Sequence, residues 1–146
     1  MTALAAAERD MLASDLELRR DGASYTALTL EALHREGYAP SDLFFITGSD
    51  AFAEISTWYD YPRIFELSNF AVVSRPGYPT IIPPLPMTPS RTSIVAVEAH
   101  TPDVSSTEIR RRAAAGESIH GLVASSVAYH IERHRLYVAA AVGAAR

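Results

Sequence analysis

The sequence contains neither cysteine nor lysine, and each absence excludes several kinds of chemistry. Without cysteine there can be no disulfide framework, no thiol nucleophile and no cysteine-ligated metal site. Without lysine there can be no Schiff-base catalysis and no Walker A loop, which ends in Gly-Lys-Ser or Gly-Lys-Thr. All 13 basic residues are arginine, so any phosphate held by a cationic side chain must be held by a guanidinium group.

Long apolar runs and an excess of positive charge are also missing. No run approaches the ~20 residues that a membrane span requires, and Glu8, Arg9 and Asp10 interrupt the start of the chain, where a signal peptide would be apolar. The net charge of −4 argues against nucleic-acid binding. We therefore expect a cytoplasmic protein without membrane or nucleic-acid partners, and the 146 residues suffice for one domain with a core.

Helix and strand patterns alternate along the chain, which predicts an α/β domain with a mostly parallel sheet. Apolar runs predict strands at 43–47, 70–74 and 94–98, of which the first two are typical of strands buried on both faces. The alternating segment 15–19 predicts a further short strand. Helices are expected over residues 2–13, 25–36, 50–55, 62–67, 105–115 and 125–134.

Polar residues directly follow the first apolar run, at a strand end where such sheets bind ligands. Gly48 would let a ligand approach the backbone closely, and Asp50 could accept hydrogen bonds from ribose hydroxyls. The alternative is a tight turn from strand to helix, with Asp50 favourable in the first helical turn.

A second candidate is the helix start at Ser105, Ser106 and Thr107, with Arg110 one turn further on. Hydroxyls, free N–H groups and a guanidinium at a helix start would cradle a polyphosphate. Ser105 and Glu108 also fit the S-x-x-E capping box, so the alternative is a well-capped helix with a solvated arginine face.

Aromatic and histidine residues supply three weaker candidates. Trp58 could stack on a flat ligand ring or plug the core. The helix start at Tyr25 and Thr26 could hold a carboxylate or serve as a simple cap. His130 and His134 lie four residues apart, as in some metal sites, but without an evident third ligand they favour a solvated helix face.

Together these segments resemble the bacterial nicotinate-nucleotide adenylyltransferases. The resemblance is carried by residues 16–33, 44–79, 104–112 and 130–137, which occur in the order and near the spacing of that family. Members of the family join nicotinate mononucleotide to the adenylyl group of ATP in NAD biosynthesis, with Mg²⁺, and release pyrophosphate. The resemblance implies a Rossmann-like nucleotidyltransferase fold, with ATP and nicotinate mononucleotide as ligands.

The resemblance also implies roles for particular residues. Trp58 would stack on the pyridine ring, while Thr26 and the Tyr59 backbone would hold its carboxylate, with Tyr25 beside them. Gly48 and Asp50 match a G-x-D segment that contacts the nucleotide ribose. The residues that match the family's phosphate-binding and nucleotide-proximal positions are Ser105, Ser106, Thr107, Arg110 and, with a less defined duty, Arg75.

One family segment has no counterpart in these 146 residues, namely G-G-T/S-F-D-P-x-H-x-G-H, whose two histidines bind ATP phosphates and carry most of the catalysis. We therefore expect a truncated or mis-started adenylyltransferase, with the true start upstream of Met1. It would form one incomplete domain over residues 1–137, with N-terminal strands missing, and residues 138–146 would form a flexible tail.

The missing segment also affects what we expect of the chain's catalytic activity and self-association. We expect no catalytic residue, no resident metal site and no activity of the chain alone. The alternatives are an inactive remnant that binds nicotinate mononucleotide and an interaction fragment completed by a partner chain. Absent neighbouring strands would leave an apolar sheet edge at 43–47, which predicts self-association.

Overall fold

Helices and parallel strands alternate in the computed structural model, which describes residues 1–74, 92–99 and 104–138. The strands are β1 (Phe44–Gly48), β2 (Asn69–Ser74) and β3 (Ile94–Glu98). The helices are α1 (Thr2–Ala7), α2 (Thr26–Arg35), α3 (Ser49–Ala53), α4 (Tyr61–Leu67), α5 (Ser106–Ala115) and α6 (Ser125–Arg133). Short 3₁₀ helices cover Pro40–Asp42 and Ile55–Thr57.

The three described strands form one sheet in the order β1-β2-β3, and both neighbouring pairs are parallel. Phe45 lies beside Phe70, which lies beside Ile94, so one aromatic and aliphatic row crosses the sheet. Parallel strands need crossover connections, and α3 and α4 supply the one between β1 and β2. These observations confirm the predicted α/β class and fit a Rossmann-like nucleotidyltransferase fold.

The described residues group into two compact units, and each unit has its own hydrophobic core. The sheet unit, Asp15–Thr101, contains the three strands, and the helical unit consists of Met1–Ser14 and Pro102–Arg146. The core of the sheet unit contains Ala27, Phe52, Ile55, Ile64, Phe65, Phe70 and Val72. The core of the helical unit contains Ile109, Ile119, Val127, Ala128 and Ile131.

Two expectations about the extent of the domain stay predictions. The first is the single domain over residues 1–137. The second is the flexible tail over residues 138–146, of which residues 139–146 lie outside the described part of the chain. Within the described ranges, no helix combines the length and the apolar character that crossing a membrane demands.

Strand β1 is buried on one face only, so the prediction of burial on both faces is wrong for this strand. Its Thr47 is buried, whereas Phe44 is 53% and Ile46 is 70% exposed. The physical reason is that the core of the sheet unit packs on the face that carries Phe45, Phe70 and Val72. Among the described strands β1 pairs only with β2, so the expected apolar edge is present.

Residues 15–19 form a helical turn, so the predicted strand there is wrong. The backbone N–H groups of Leu18 and Arg19 both donate to the carbonyl oxygen of Asp15. The Arg19 guanidinium also pairs with the Asp15 carboxylate at 2.8 Å. The turn closes with its own backbone hydrogen bonds and needs no partner strand, and the charges spaced four residues apart add a small stabilisation.

Candidate functional site

An exposed pair of aromatic rings lies where the start of α2 meets the segment before α4. The rings of Tyr25 and Tyr59 are stacked, with centroids 4.5 Å apart and planes 26° from parallel. Both side chains are about half exposed. Arg63 of α4 pairs with Glu31 of α2 at 2.8 Å and so links the two helices. The sheet unit therefore presents an ordered aromatic surface.

Trp58 lies next to this pair along the chain but is only partly accessible. Its ring meets Phe45 edge-on, with centroids 5.7 Å apart, and packs against the core of the sheet unit. The ring therefore packs against the core and leaves part of its surface exposed, and its stacking on a ligand stays a prediction. The Tyr25–Tyr59 stack joins residues that are distant along the chain, so their spacing alone could not have shown it.

The start of α2 is the place where the sequence predicts that a carboxylate binds. Tyr25 is the N-cap residue, and its side chain does not cap the helix. The first-turn N–H groups have no intrahelical acceptor, and the positive end of the helix dipole lies there. Thr26 places a half-buried hydroxyl group in this turn. A ligand carboxylate would find several donors here, directly beside an aromatic surface.

Gly48 and Asp50 lie together at the carboxyl end of β1. Gly48 ends the strand and is the N-cap residue of α3, and Asp50 is exposed in the first turn of that helix. A Cβ atom on Gly48 would lie 2.5 Å from Oδ1 of Asp50. The φ of Gly48 is −72°, which any residue can adopt, so a side chain here would displace the Asp50 carboxylate without straining the backbone. The missing side chain lets the Asp50 carboxylate fold over the strand end.

The start of α5 in the helical unit is capped, as its sequence predicts. The Glu108 N–H group donates to Oγ of Ser105 at 3.1 Å. Ser106, Thr107 and Arg110 are exposed, and Nη2 of Arg110 donates to Oγ of Ser106 at 3.3 Å. The cap therefore uses the Ser105 oxygen, while two hydroxyls and one guanidinium stay at an accessible helix start that suits an anion.

The Glu108 side chain does not complete the capping box but binds two arginines. Its oxygens accept from Nε and Nη2 of Arg111, both at 2.9 Å, and from Nε of Arg112 at 2.7 Å. Glu117 accepts from the other side of Arg111, twice at 3.0 Å. Hydrogen bonds from Arg111 and Arg112 lower the pKa of Glu108 to about 2. The expected solvated arginine face is therefore largely an ion-pair network, and only Arg110 of the three consecutive arginines lacks a carboxylate partner within the described ranges.

The described histidines do not assemble a metal site. The rings of His130 and His134 lie 4.5 Å apart, and His120 instead pairs with Glu132 at 3.1 Å. Desolvation, followed by repulsion from His134, lowers the pKa of His130. Across residues 1–74, 92–99 and 104–138, no three potential metal-ligating side chains cluster. The remaining candidate, Arg75, lies outside the described residues.

The structure brings the candidate residues together in three groups. Tyr25, Thr26 and Tyr59 lie at the start of α2, with Trp58 next to Tyr59 in the chain, and Gly48 lies against Asp50; both groups belong to the sheet unit. The third group belongs to the helical unit and consists of Ser105, Ser106, Thr107 and Arg110.

Comparison with known proteins places the chain in a family. Residues 2–112 match the cytidylyltransferase-like family. A protein of Syntrophotalea carbinolica is 38% identical, over 94% of this chain and 71% of its own length. Proteins of Thermus thermophilus and Frankia alni are 42% and 41% identical, each over 94% of this chain and 70% of their own length. All three carry the name "Probable nicotinate-nucleotide adenylyltransferase". The chain therefore belongs to the cytidylyltransferase-like family, within its group of nicotinate-nucleotide adenylyltransferases.

Proposed function

We propose that this chain forms the substrate-binding part of an enzyme that transfers the adenylyl group of ATP to nicotinate mononucleotide. In this reaction a phosphate oxygen of the mononucleotide attacks the α-phosphorus of ATP, the bond to the β-phosphate breaks, and pyrophosphate leaves. The products are deamido-NAD and pyrophosphate. The observation that carries the proposal is the exposed Tyr25–Tyr59 stack beside the uncapped start of α2.

The nicotinate ring would lie against the aromatic surface of Tyr25, Trp58 and Tyr59. Its carboxylate would accept hydrogen bonds from the first-turn N–H groups of α2, the Thr26 hydroxyl and the Tyr59 backbone. A nicotinamide ring carries a neutral amide with an N–H face, which cannot satisfy several donors equally well. The site therefore favours nicotinate mononucleotide over nicotinamide mononucleotide.

Each of the other two groups of residues would make its own contact with a nucleotide substrate. The Asp50 carboxylate, which lies over Gly48, would accept hydrogen bonds from a ribose. Ser106, Thr107 and Arg110 would contact the triphosphate at the start of α5, where the helix dipole favours negative charge. Adenylyl transfer depends mainly on alignment and charge neutralisation, and these donors supply both.

Magnesium would enter as part of the substrate. The described side chains gather no cluster of three potential ligands for a metal ion. Mg²⁺ is commonly held by substrate phosphates and water molecules, with few protein ligands. We therefore assign Mg²⁺ to the ATP phosphates, while the residues of this chain contact phosphate oxygens.

The 146 residues alone are proposed to bind both substrates without catalysing transfer, because they contain no G-x-F-D-P-x-H-x-G-H segment. The test is pyrophosphate release from ATP and nicotinate mononucleotide, measured beside calorimetric titration of each substrate. We expect binding with release at background. Release above background would contradict the proposed inactivity, and lack of binding at millimolar concentration would contradict the substrate sites.

A further inference from the structure

A cleft of about 390 Å³ opens at the amino end of the sheet, at the opposite end of the strands from Gly48. Its walls come from the 3₁₀ helix before β1, the end of α4, the start of β2 and the segment before β3. A cleft of this size can hold a small molecule. The polar residues that line it are Ser41, Glu66, Ser68, Asn69 and Thr92. We propose that this amino-end cleft binds a small organic cation that carries a primary ammonium group.

Ser68 supplies the observation that points to a ligand. It is the C-cap residue of α4 and is 2% exposed, and its Oγ has no hydrogen-bond partner in the part of the chain that the structure describes. Buried polar groups without a partner are costly and uncommon in folded proteins. The serine hydroxyl can turn between staggered positions, and it can both donate and accept. Because Ser68 lines the cleft, a ligand bound there would give this hydroxyl its missing partner.

The charges around the cleft favour a cation over an anion. Glu66 lines the cleft and is exposed, and none of the described lining residues is basic. The last turn of α4 carries no basic residue, and the carboxyl end of a helix carries partial negative charge. The Thr92 hydroxyl donates to the carbonyl oxygen of Phe65, so its proton is already engaged. A phosphate or a carboxylate would therefore meet few donors and a negative charge.

Backbone carbonyl groups add acceptors that the protein satisfies only weakly. Nδ2 of Asn69 donates across 3.3 to 3.4 Å to three carbonyl oxygens, those of Pro40, Ser41 and Leu43. An amide nitrogen has two hydrogens, so it cannot satisfy three acceptors fully. A primary ammonium group has three N–H donors and no acceptor. Such a group matches a cleft that has more acceptors than donors.

The test is an NMR titration of the full 146-residue chain with three probes of equal length that differ in charge. The probes are n-butylammonium, 1-butanol and butyrate. We expect butylammonium to cause saturable shifts of the backbone amide signals of Ser68, Asn69 and Thr92. Its affinity should exceed that of butanol about tenfold, as for a hydrogen bond that involves a charged group. Butyrate should cause no saturable shift.

Two variants test the hydroxyl and the carboxylate separately. Ser68→Ala and Glu66→Gln should each weaken butylammonium binding about tenfold. Glu98→Gln removes the same charge from an exposed residue at the carboxyl end of β3 and should leave the affinity unchanged. Ser68→Ala should unfold at or above the wild-type temperature, because it removes a buried hydroxyl that has no partner.

Four results would overturn the proposal. Equal affinity for butylammonium and butanol would show apolar contact without selection for charge, and binding of butyrate would contradict the expected sign. An equal loss in Glu98→Gln and Glu66→Gln would assign the effect to net charge. The absence of saturable shifts from all three probes would show that the cleft holds water only. None of these measurements uses ATP or nicotinate mononucleotide, so their outcome is independent of the proposed function.

Discussion

Tyr25 and Tyr59 stack ring on ring with centroids 4.5 Å apart, although one precedes α2 and the other precedes α4. Neither ring is buried, so the pair adds nothing to the core of the sheet unit. Stacked aromatic rings attract further flat rings through their faces. The stack is therefore where we propose that the pyridine ring binds, beside the backbone donors at the start of α2.

Removal of the Tyr59 ring tests whether the pyridine ring binds at the stack. Tyr59→Ala should weaken nicotinate mononucleotide binding by about threefold to tenfold, the range expected for one aromatic pair. Tyr59→Phe should keep wild-type affinity, because it keeps the ring. Calorimetric titration measures both. Tyr38→Ala removes another exposed tyrosine of the sheet unit and serves as the control. Equal losses in Tyr59→Ala and Tyr38→Ala would argue against stacking at Tyr59.

Loss of the Thr26 hydroxyl should change ligand preference. Thr26→Val keeps the shape of the side chain but removes a donor to the ligand carboxylate. We expect nicotinate mononucleotide affinity to fall about tenfold, as for loss of a hydrogen bond to a charged group. Nicotinamide mononucleotide affinity should change little. Titration of both ligands gives the ratio, and an equal fall for both would show that Thr26 does not recognise the carboxylate.

A methyl group on Gly48 should displace the Asp50 carboxylate. Gly48→Ala places Cβ 2.5 Å from Oδ1 of Asp50, while its φ of −72° suits alanine. The variant should therefore fold normally and lose ATP affinity to the same extent as Asp50→Asn. Thermal unfolding and ATP titration measure the two effects. If Asp50→Asn weakens ATP binding and Gly48→Ala does not, the missing side chain at Gly48 is not what positions the Asp50 carboxylate.

The Glu108 carboxyl should titrate well below its ordinary pKa. Its pKa falls from 4.5 to about 2, because Arg111 and Arg112 donate to the charged form. A lowered folded-state pKa means that the contribution to stability is complete above pH 4.5 and is lost progressively as the pH falls toward 2. Carboxyl ¹³C NMR measures the titration. In Arg111→Ala the pKa should rise toward 4.5, and an unchanged value would assign the shift to another cause.

The apolar side chains exposed on β1 should promote self-association. Ile46 is 70% exposed on a strand that pairs on one side only within the described sheet. Exposed apolar strand edges favour pairing with a second chain. Sedimentation velocity should show association of the wild-type chain that increases with concentration, and Ile46→Lys should reduce it. Leu18→Lys, at a leucine that is 88% exposed outside the sheet, should not. A monomer at all concentrations would exclude this edge as an interface.

Local patterns predicted the elements well. The apolar run 94–98 forms β3 with the expected bounds, and Ser105 caps α5 as its S-x-x-E pattern indicates. Both features depend on neighbouring residues in the chain, which the sequence displays directly. The strand predicted at 15–19 was wrong because alternation is compatible with a strand but does not require one, and the segment closes a turn with its own backbone hydrogen bonds.

Features that depend on distant residues were not predictable from spacing. Burial of β1 depends on what packs against each face of the sheet, so its apolar run did not disclose that Ile46 is exposed. The Tyr25–Tyr59 stack requires the packing of α2 against α4. Glu108 fits a capping box in sequence, but two arginines further along α5 compete for its carboxylate and take it.

The most direct test of the account follows the backbone amide signals of the 146-residue chain by NMR as nicotinate mononucleotide is added. We expect saturable shifts that are largest at Tyr25, Thr26, Trp58 and Tyr59, with weaker effects from nicotinamide mononucleotide. The absence of shifts at millimolar ligand, or shifts centred on residues away from the start of α2, would contradict it.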